Sequence, residues 1–528
     1  MAFQLKIEKV LISDNLDNCC PEILTKGGIV VKTETKLTKE ELLAEIPNYD
    51  ALIVRSATKV TDEVLEAGKR LKLVGRAGTG VDNIDIKSAT RHGVIVMNTP
   101  SGNTLSAAEH TCALIVSLAR NIPQAAASMR EGRWDRKKFM GNELFGKTLG
   151  IVGLGRIGME VATRMQSFGM TTIGYDPLVS AEMAAEFNVE WMELEKLWPL
   201  VDYVTVHTPL IPQTKGLLND KTFAMCKKGV RVINCARGGI IDEECLLTAL
   251  ESGQCAGAGL DVFVTEPPTG ISEKVVQHAN VISCPHLGAS TVEAQKRVAK
   301  EIAEQILKAT KGESLFGAIN AASLQGALQP ETGPWLKLGT GLAKVALGLN
   351  KTKEIRKVIV TTFGAGLEKA ASYVAPSVLM GLIPDMTQTS NTLNLINGEY
   401  FAKEMGLQVE KQHENKPVGV TCDQAVSLKL EYSDDSHVTL TGTIFGPGTP
   451  TLLQVDDLPF SSPVPLVDKL NLFPISSSPA KILGKLFEKT GEDIDVKALH
   501  SSWNGERGIT VLKIDSDFVF ESMSVVSF

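Results

Sequence analysis

Three polar residues follow separate apolar segments of the chain, at points where buried strands are expected to end. Arg237 follows VINCA, Glu266 lies just past LDVFVT, and His286 follows ISCP. Oxidation of an alcohol by hydride transfer needs a base for the hydroxyl proton and a cation for the neighbouring carboxylate. Because the carboxyl ends of parallel strands meet at one edge of a sheet, these side chains predict a site for hydroxy-acid chemistry. His207, in VHTP, also ends a predicted strand and is a second candidate for the base.

A glycine-rich turn supplies the strongest local signal. Gly153, Gly155 and Gly158 form GLGRIG between an apolar strand, TLGIV, and a helix that begins MEVATRMQ. This arrangement is typical of a dinucleotide site, since the glycines permit a tight turn, close approach of the pyrophosphate and close helix packing. Asp176 ends the next strand, where its carboxylate can accept hydrogen bonds from ribose hydroxyls and repel a 2′-phosphate. The sequence therefore predicts NAD, rather than NADP, as the cofactor.

The elements that must position these residues are strands alternating with helices, which is typical of a parallel, doubly wound sheet. One series has predicted strands at 10–13, 28–31, 51–56, 71–76 and 94–98, and a second runs from TLGIV to NVISCPHLG. Between them, SAAEHTCALIVSLARNI predicts a single helix ended by Pro123. After Lys311, GAINAASLQGALQPETGP indicates a linker. The expected fold class is α/β, with two doubly wound, Rossmann-like parallel-sheet domains and C-terminal α+β regulatory-type domains.

Composition limits the classes of function that the chain can have. Its 528 residues suffice for three or four domains, and its net charge of −7 argues against a nucleic-acid partner. The start, MAFQLKIEKV, does not predict a signal peptide, and the apolar stretch ALIVSLA is too short to span a membrane. The nine cysteines lack metal-binding spacing, and several lie in apolar runs. They indicate reduced thiols in a cytoplasmic protein without a metal site.

The motifs GLGRIG, NCARGGIIDEECL, LDVFVTEPP and CPHLGAST resemble, in this order, those of the D-isomer-specific 2-hydroxyacid dehydrogenases. The resemblance implies that Arg237 binds the substrate carboxylate and carbonyl, and that His286, paired with Glu266, is the acid/base. It therefore favours His286 over His207. It also implies a set of residues that bind NAD: Thr79, Gly153, Gly155, Arg156, Ile157, Gly158, Asp176, Thr208, Pro209, Cys235, Ala236, Asp261, Gly288 and Ala289.

The same resemblance implies a discontinuous substrate-binding domain, 1–99 and 290–320, and an NAD-binding domain, 100–289. The segments LIVRSATKVT, VGRAGTGVDN and RWDRKKFMG are most similar to family members that oxidise 3-phospho-D-glycerate to 3-phosphohydroxypyruvate, the first step of the phosphorylated serine pathway. Arginine forks suit phosphate and carboxylate groups. The resemblance implies a homotetramer, and the expected substrate contacts are Arg55, Arg76, Gly78, Asn103 and Arg136.

The C-terminal part resembles an intervening regulatory-type domain, 326–455, and an ACT-like domain, 456–528. Predicted strands in the latter are VDKLNLFPI, IDVKALHSS and GITVLKID, and SPAKILGKLFEKTG is a predicted helix. Only 13 residues follow Asp515, which predicts an incomplete ACT-like domain. Two alternative functions stay open: an NAD-dependent reductase of another 2-oxo acid, such as hydroxypyruvate, and an NAD-sensing interaction protein similar to the corepressors of this family.

Overall fold

The computed structural model describes residues 5–350, 352–386, 393–417, 419–475, 488, 496–503, 508–514 and 524–528. The chain forms two compact units, residues 1–98 with 300–528 and residues 99–299. Within the described residues, no helix combines the length and the apolar character needed to cross a membrane.

The larger unit begins with a parallel sheet of five strands. Strands β1 to β5 span Lys9–Ile12, Val30–Thr33, Ala51–Val54, Leu73–Arg76 and Ile95–Asn98, in the order β2-β1-β3-β4-β5. Helices α1 to α4 span Cys19–Lys26, Lys39–Glu45, Asp62–Ala67 and Ile86–Arg91. A capping box formed by Thr38 and Glu41 starts α2, because each side chain satisfies a backbone N–H of the other residue. Every residue of β3 is buried, as expected for a strand covered on both faces.

The smaller unit contains a parallel sheet of seven strands. Strands β6 to β12 span Thr148–Val152, Thr171–Tyr175, Glu190–Trp191, Tyr203–Val206, Val230–Asn234, Cys255–Leu260 and Val281–Ser283, in the order β12-β11-β10-β9-β6-β7-β8. Consecutive residues such as Ile151 and Val152 enter different hydrophobic clusters, so both faces of the sheet are covered. The two doubly wound sheets expected from the sequence are therefore present.

The helices around this second sheet differ from expectation at one point. Helices α5 to α12 span Thr104–Arg120, Ile122–Arg130, Arg156–Gln166, Ala181–Ala185, Leu194–Leu197, Asp220–Met225, Glu243–Glu251 and Ile271–Gln277. Helix α13 spans Val292–Thr310, and most of it belongs to the larger unit. The single helix predicted to end at Pro123 ends instead at Arg120. Asn121 takes a left-handed conformation (φ 51°), and Pro123 lies in the first turn of α6. A proline in the first turn forfeits no helical hydrogen bond, so Pro123 helps to begin a helix rather than to end one.

The segment expected to be a linker is packed against the first sheet. Ile319 N–H donates to the Val96 carbonyl at 2.8 Å, and Val96 N–H donates to Asn320 Oδ1 at 2.9 Å. Two short 3₁₀ helices follow, Ala322–Leu328 and Pro330–Thr332, and Leu324 and Leu328 are buried. The linker prediction was wrong because hydrogen bonds to a distant strand, which composition does not reveal, order this segment.

Two further sheets complete the larger unit. Strands β13 to β18 span Ile355–Phe363, Gln408–Glu414, Ala425–Tyr432, His437–Phe445, Thr449–Val455 and Leu458–Pro465, in the order β14-β13-β15-β16-β17-β18. Helices α14 to α16 span Gly333–Leu349, Ala371–Met386 and Gly398–Glu404. Strands β19 to β22 span Lys469–Ile475, Val496–Trp503, Gly508–Ile514 and Ser524–Ser527, in the order β20-β21-β19-β22. The three predicted strands thus lie in this last sheet with a fourth, β22, whereas most of the helix predicted at SPAKILGKLFEKTG lies outside the described residues.

All nine cysteines are free thiols. Burial raises the pKa of Cys20, Cys226 and Cys235 to about 12, and that of Cys112 and Cys255 to about 11. These thiols therefore stay protonated at neutral pH.

Candidate active site

The glycine turn lies between β6 and α7. Gly153 has φ 99°, a conformation that favours glycine, and its N–H donates to the Tyr175 carbonyl at 2.8 Å. A Cβ added to Gly158 would lie 2.1 Å from the Gly153 carbonyl oxygen, so close helix–strand packing requires glycine there. A Cβ added to Gly155 would meet no atom within 4 Å. The backbone at Gly155 is therefore open to a ligand, as a bound pyrophosphate requires.

Asp176 directly follows β7 and is partly exposed. Its Oδ2 accepts a hydrogen bond from Leu154 N–H, at 2.9 Å, and its Oδ1 accepts one from Leu178 N–H, at 2.8 Å. The carboxylate thus ties the glycine turn to the end of β7. Each oxygen has a second lone pair, so Asp176 can also accept hydrogen bonds from ribose hydroxyls.

The other predicted NAD residues of this unit lie mainly beyond neighbouring strand ends. Thr208 and Pro209 follow β9, and the Oγ1 of Thr208 is buried without a hydrogen-bond partner in the described part of the chain. A buried hydroxyl normally has a partner, so this group fits a site that a ligand completes. The remaining positions follow β10, β11 and β12 or begin α7: Cys235, Ala236, Asp261, Gly288, Ala289, Arg156 and Ile157.

His286 and Glu266 form a pair at this edge of the sheet. His286 Nδ1 lies 2.9 Å from Glu266 Oε2, while Glu266 Oε1 accepts a hydrogen bond from Phe263 N–H at 3.0 Å. An ionised carboxylate only accepts, so Nδ1 carries the proton, and Nε2 is the nitrogen able to take a proton from a substrate. The backbone of His286 has φ 56°, a strained conformation for a residue with a side chain. Strain of this kind is concentrated at functional sites.

The electrostatics of this pair favour a charged imidazole. The hydrogen bond to Glu266 raises the pKa of His286 above its ordinary value, and the charges of Glu266 and Asp261 add to the rise. Burial and the positive charge of Arg237 oppose it. Burial raises the pKa of Glu266, but the hydrogen bonds from His286 and from Phe263 N–H outweigh this effect, so its pKa is lowered. Glu266 is therefore ionised at neutral pH and can stabilise the imidazolium.

The second candidate base, His207, has a different environment. Its Nε2 lies 3.0 Å from the Thr205 hydroxyl, and burial lowers its pKa to about 4. A neutral imidazole with such a low pKa is a poor proton acceptor. The geometry therefore favours His286 as the base.

Arg237 lies on a turn that is stabilised by Asn234, a residue that the sequence analysis did not predict. Asn234, almost fully buried, accepts from Ala236 N–H at 2.9 Å and donates to the Arg237 carbonyl at 2.8 Å. A Cβ on Gly238 would lie 1.9 Å from the Phe263 carbonyl oxygen, so this turn lies directly against the segment that leads to Glu266. A polar residue directly after the apolar pair Val232 and Ile233 was the available signal for Asn234.

Two more carboxylates, only one of them predicted, hold these loops. Glu243 accepts from Val264 N–H at 2.8 Å and from the Ser272 hydroxyl at 2.5 Å. Asp261, fully buried, accepts from the N–H groups of Leu287 and Gly288, both at 2.8 Å. Asp261 therefore fixes the two residues that follow His286, in addition to its predicted role towards NAD.

Asp261 also belongs to a small cluster of possible ligand groups. His110 Nε2 lies 3.1 Å from Asp261 Oδ1, and the ligand atoms of His110, Asp261 and Cys284 are all within 4.8 Å of one another. Burial raises the pKa of the Cys284 thiol, and both Asp261 oxygens already accept backbone hydrogen bonds. Within this cluster Asp261 supports the turn after β12, whereas His110 Nε2 forms no hydrogen bond with the described residues.

The remaining predicted residues fall in both units. In the larger unit, Arg55 donates from Nη1 to the Asn15 carbonyl at 3.2 Å, and Arg76 donates from Nε to Asn83 Oδ1 at 2.8 Å. Gly78, with φ 157°, and Thr79 follow β4 in the same unit. In the smaller unit, Asn103 directly precedes α5 and Arg136 is exposed in the loop after α6.

Comparison with protein families identifies two regions. Residues 112–288 match the NAD-binding domain of the D-isomer specific 2-hydroxyacid dehydrogenases, and residues 331–456 match the D-3-phosphoglycerate dehydrogenase intervening domain. The chain is 56% identical to D-3-phosphoglycerate dehydrogenase of Homo sapiens over 413 residues, which is 78% of this chain and 76% of that protein. It is 42% identical to the D-3-phosphoglycerate dehydrogenase of Bacillus subtilis over 435 residues, covering 82% and 81% of the two chains.

Solved structures match about three-fifths of this chain. A D-lactate dehydrogenase from Aquifex aeolicus, complexed with NAD and lactic acid, is 26% identical and matches 58% of this chain and 96% of its own, with a TM-score of 0.52. A glyoxylate reductase from Paecilomyes thermophila is 28% identical and matches 59% of this chain and 98% of its own, with a TM-score of 0.54.

Proposed function

The chain belongs to the D-isomer-specific 2-hydroxyacid dehydrogenase family, among the relatives named D-3-phosphoglycerate dehydrogenase, and we propose that it oxidises 3-phospho-D-glycerate to 3-phosphohydroxypyruvate with NAD. This reaction opens the phosphorylated route to serine. The observation that carries the proposal is the pair of His286 and Glu266, 2.9 Å apart, on the sheet that also bears the glycine turn.

His286 acts as the base in this proposal. Glu266 holds the proton on Nδ1, so Nε2 takes the proton of the substrate hydroxyl as the carbon is oxidised. The resulting imidazolium is stabilised by the ionised Glu266, which is the physical meaning of the raised pKa of His286. In the reverse direction the same imidazolium returns the proton to the oxo group.

Arg237 binds the substrate carboxylate. A guanidinium can donate two parallel hydrogen bonds to a carboxylate, which orients the substrate as well as attracting it. The positive charge of Arg237 also lowers the pKa of His286, so the two side chains influence each other electrostatically. When bound, NAD supplies the acceptor for the hydride that leaves the substrate carbon. The glycine turn, Asp176 and Thr208 are the residues that would hold it.

Arg55 and Arg76 are our proposed contacts for the substrate phosphate. Their guanidinium groups carry the charge and the fork geometry that a phosphate dianion requires. Replacement of Arg76 by alanine should raise the KM for 3-phosphoglycerate by about tenfold, since one charge-assisted hydrogen bond is worth roughly 1.5–3 kcal/mol. Unphosphorylated hydroxy acids should be affected much less.

The test of the proposed function is NAD reduction with a matched panel of acids: 3-phospho-D-glycerate, D-glycerate and D-lactate. We expect kcat/KM to be highest for the phosphorylated acid and to be lost in the Arg237→Ala variant. Good turnover of an unphosphorylated acid without turnover of 3-phosphoglycerate would contradict the proposal and favour a reductase of another 2-oxo acid.

We further propose a cytoplasmic homo-oligomer, with a tetramer as the specific expectation. Support comes from apolar side chains exposed on α6 and in the loop that follows it. Met140 and Phe145 are each about four-fifths exposed, and Trp134 is 72% exposed. Trp134 and Met140 line the same surface crevice, and exposed apolar patches commonly mark a protein interface.

A further inference from the structure

His110 is a partly buried residue of α5 that has no role in the proposed reaction. Its Nε2 atom is buried and forms no hydrogen bond with any residue that the structure describes. The atom lies 3.1 Å from Asp261 Oδ1, but the ring is not oriented for a hydrogen bond to that oxygen. A ring nitrogen this close to a carboxylate oxygen carries a proton, because two lone pairs would repel each other. Nε2–H is therefore a buried donor without an acceptor, and buried donors normally have one.

Helix α5 lies beside the strand ends at which we expect NAD to bind. The side chain of Thr111 is hydrogen-bonded to that of Cys235, which directly follows β10. A Cβ added to Gly288, in the turn after β12, would lie 4.0 Å from Ala107 Cβ. Ala107 is one helical turn before His110 and shares its face of the helix. This face of α5 is therefore directed at the predicted cofactor site.

The order of the strands indicates which part of NAD reaches this point. The glycine turn follows β6, and Asp176, the expected ribose contact, follows β7. β11, which leads to Asp261, lies on the opposite side of β6 from β7. Four strand spacings separate β7 from β11, which is roughly 19 Å. A dinucleotide lies across the strand ends with its pyrophosphate at the glycine turn, so adenosine near β7 leaves the nicotinamide on the side of β11.

The polar groups at this point are the complement of a primary amide. The nicotinamide ring bears a carboxamide, whose oxygen accepts hydrogen bonds and whose nitrogen donates them. His110 offers a donor and Asp261 an acceptor, 3.1 Å apart. Each Asp261 oxygen accepts one backbone N–H, from Leu287 or from Gly288, and keeps a second lone pair. A phosphate or carboxylate group would fit poorly here, because the Asp261 carboxylate would repel it.

We propose that His110 is a cofactor contact, whose Nε2–H donates to the carbonyl oxygen of the nicotinamide carboxamide while Asp261 accepts from the amide nitrogen. Two hydrogen bonds to one planar group fix its orientation, and so hold the ring in one position for hydride transfer. Asp261 was already expected to bind NAD, whereas His110 was not, because a histidine within a helix carries no such signal. The inference rests on the use of NAD by this site, and not on the identity of the acid that is oxidised.

The test is calorimetry of the full-length protein without any hydroxy acid, using NAD and ADP-ribose, which lacks the nicotinamide. We expect His110→Leu to bind NAD about tenfold more weakly than the unaltered protein, a change of about 1.4 kcal/mol. The affinity for ADP-ribose should be unchanged. Unchanged affinity for NAD would overturn the proposal. Equal losses for NAD and ADP-ribose would also overturn it, since they would show that His110 only supports the fold of the site.

A cofactor analogue and a conservative variant test the individual hydrogen bond. The 3-acetylpyridine analogue of NAD keeps the carbonyl oxygen and lacks the amide nitrogen, so His110→Leu should weaken it by the same factor as NAD. His110→Gln keeps an N–H group near the end of the side chain and should retain most of the affinity for NAD. No loss for the analogue, or a loss in His110→Gln as large as in His110→Leu, would contradict the assigned contact.

His278→Leu is the matched control. His278 is also a partly buried histidine of the smaller unit, but it lies in the turn before β12, at the opposite end of the strands. Its replacement should leave the affinity for NAD unchanged, and an equal loss there would show that the effect is not specific to His110. Thermal unfolding of each variant verifies that it is folded. Because no hydroxy acid is present, failure of the proposed reaction with 3-phosphoglycerate would not alter these comparisons.

Discussion

Glu266 has two effects on His286, and both come from one carboxylate oxygen 2.9 Å from Nδ1. It fixes the tautomer that leaves Nε2 able to accept a proton, and it raises the pKa of the ring. His207 has no carboxylate partner among the residues that the structure describes, and burial lowers its pKa to about 4. The pKa values of the two histidines therefore move in opposite directions because their environments differ.

Replacement of His286 by asparagine should reduce kcat by about 10²–10⁴, the usual loss when a general base is removed. NAD binding, measured by quenching of protein fluorescence, should change little. His207→Asn is the control, and it should retain most of kcat at saturating NAD. A larger loss of kcat in His207→Asn than in His286→Asn would identify His207 as the base.

Replacement of Glu266 by glutamine should move the pH dependence of oxidation to lower pH. Oxidation needs neutral His286, so kcat/KM should rise with pH as the ring loses its proton, and the midpoint follows its pKa. Because Glu266 raises that pKa, its removal lowers the midpoint. The measurement is kcat/KM against pH for both proteins. A midpoint that stays in place or moves to higher pH would show that Glu266 does not act on the base.

Replacement of Asp176 by alanine should weaken NAD binding by about tenfold and relax the exclusion of NADP. The loss corresponds to about 1.4 kcal/mol, in the range of one hydrogen bond to a charged group. Asp176→Asn should permit NADP while retaining part of the NAD affinity, because the amide oxygen still accepts hydrogen bonds. Unchanged affinities for both cofactors would mean that Asp176 only ties the glycine turn to β7.

The pairing of His286 with Glu266 could be predicted from the sequence, but the support that Glu243 gives to a distant segment could not. Arg237, Glu266 and His286 were singled out because each lies after an apolar segment and within a motif that resembles those of the family. Glu243 accepts hydrogen bonds from Val264 N–H and from the Ser272 hydroxyl, which belong to other segments, and a sequence does not show which segments are adjacent. The support around the site is therefore a property of tertiary structure.

At the scale of elements, the glycines of the turn between β6 and α7 have two different roles: Gly158 permits close packing, and Gly155 leaves space for a ligand. Gly158→Ala should lower the free energy of unfolding by about 1–3 kcal/mol, because its methyl group would lie 2.1 Å from the Gly153 carbonyl oxygen. Gly155→Ala should leave thermal stability unchanged and weaken NAD binding at least tenfold, since its methyl group enters open space. Equal NAD affinity in Gly155→Ala and the unaltered protein would place the pyrophosphate elsewhere.

Strands with continuous apolar sequence were predicted well, and segments ordered by distant partners were not. β3 lies within its predicted range, because a buried parallel strand is apolar along its whole length. The supposed linker is ordered by hydrogen bonds to β5, and the break after α5 depends on the left-handed conformation of Asn121. Neither the ordering of the supposed linker nor the break after α5 can be predicted from the local amino-acid composition.

For the whole molecule, light scattering coupled to gel filtration should give four times the chain mass of 56.8 kDa. The physical reason is the exposed apolar surface around Trp134, Met140 and Phe145, which another copy can bury. Trp134→Glu should reduce the mass, whereas Trp503→Glu, in a different part of the chain, should not. A single-chain mass for the unaltered protein would contradict the proposed oligomer.

Two parallel sheets were predicted because alternation of strand and helix allows few topologies. The order of the mixed sheet was not predicted. β13 pairs in parallel with β14 and antiparallel with β15, and no local pattern encodes such a choice. Register between distant strands is determined by packing, which only the folded chain reveals.

Burial of the cysteines affects how readily the protein is oxidised. Peroxide and disulfide reagents attack the thiolate, and a thiol with a pKa of about 12 yields almost none at neutral pH. Cys20, Cys226 and Cys235 are all of this kind. Cys235 also lies at the strand edge where NAD is expected, so a sulfenic acid there would add a polar oxygen beside the cofactor. Its high pKa therefore slows oxidative damage beside the expected cofactor site.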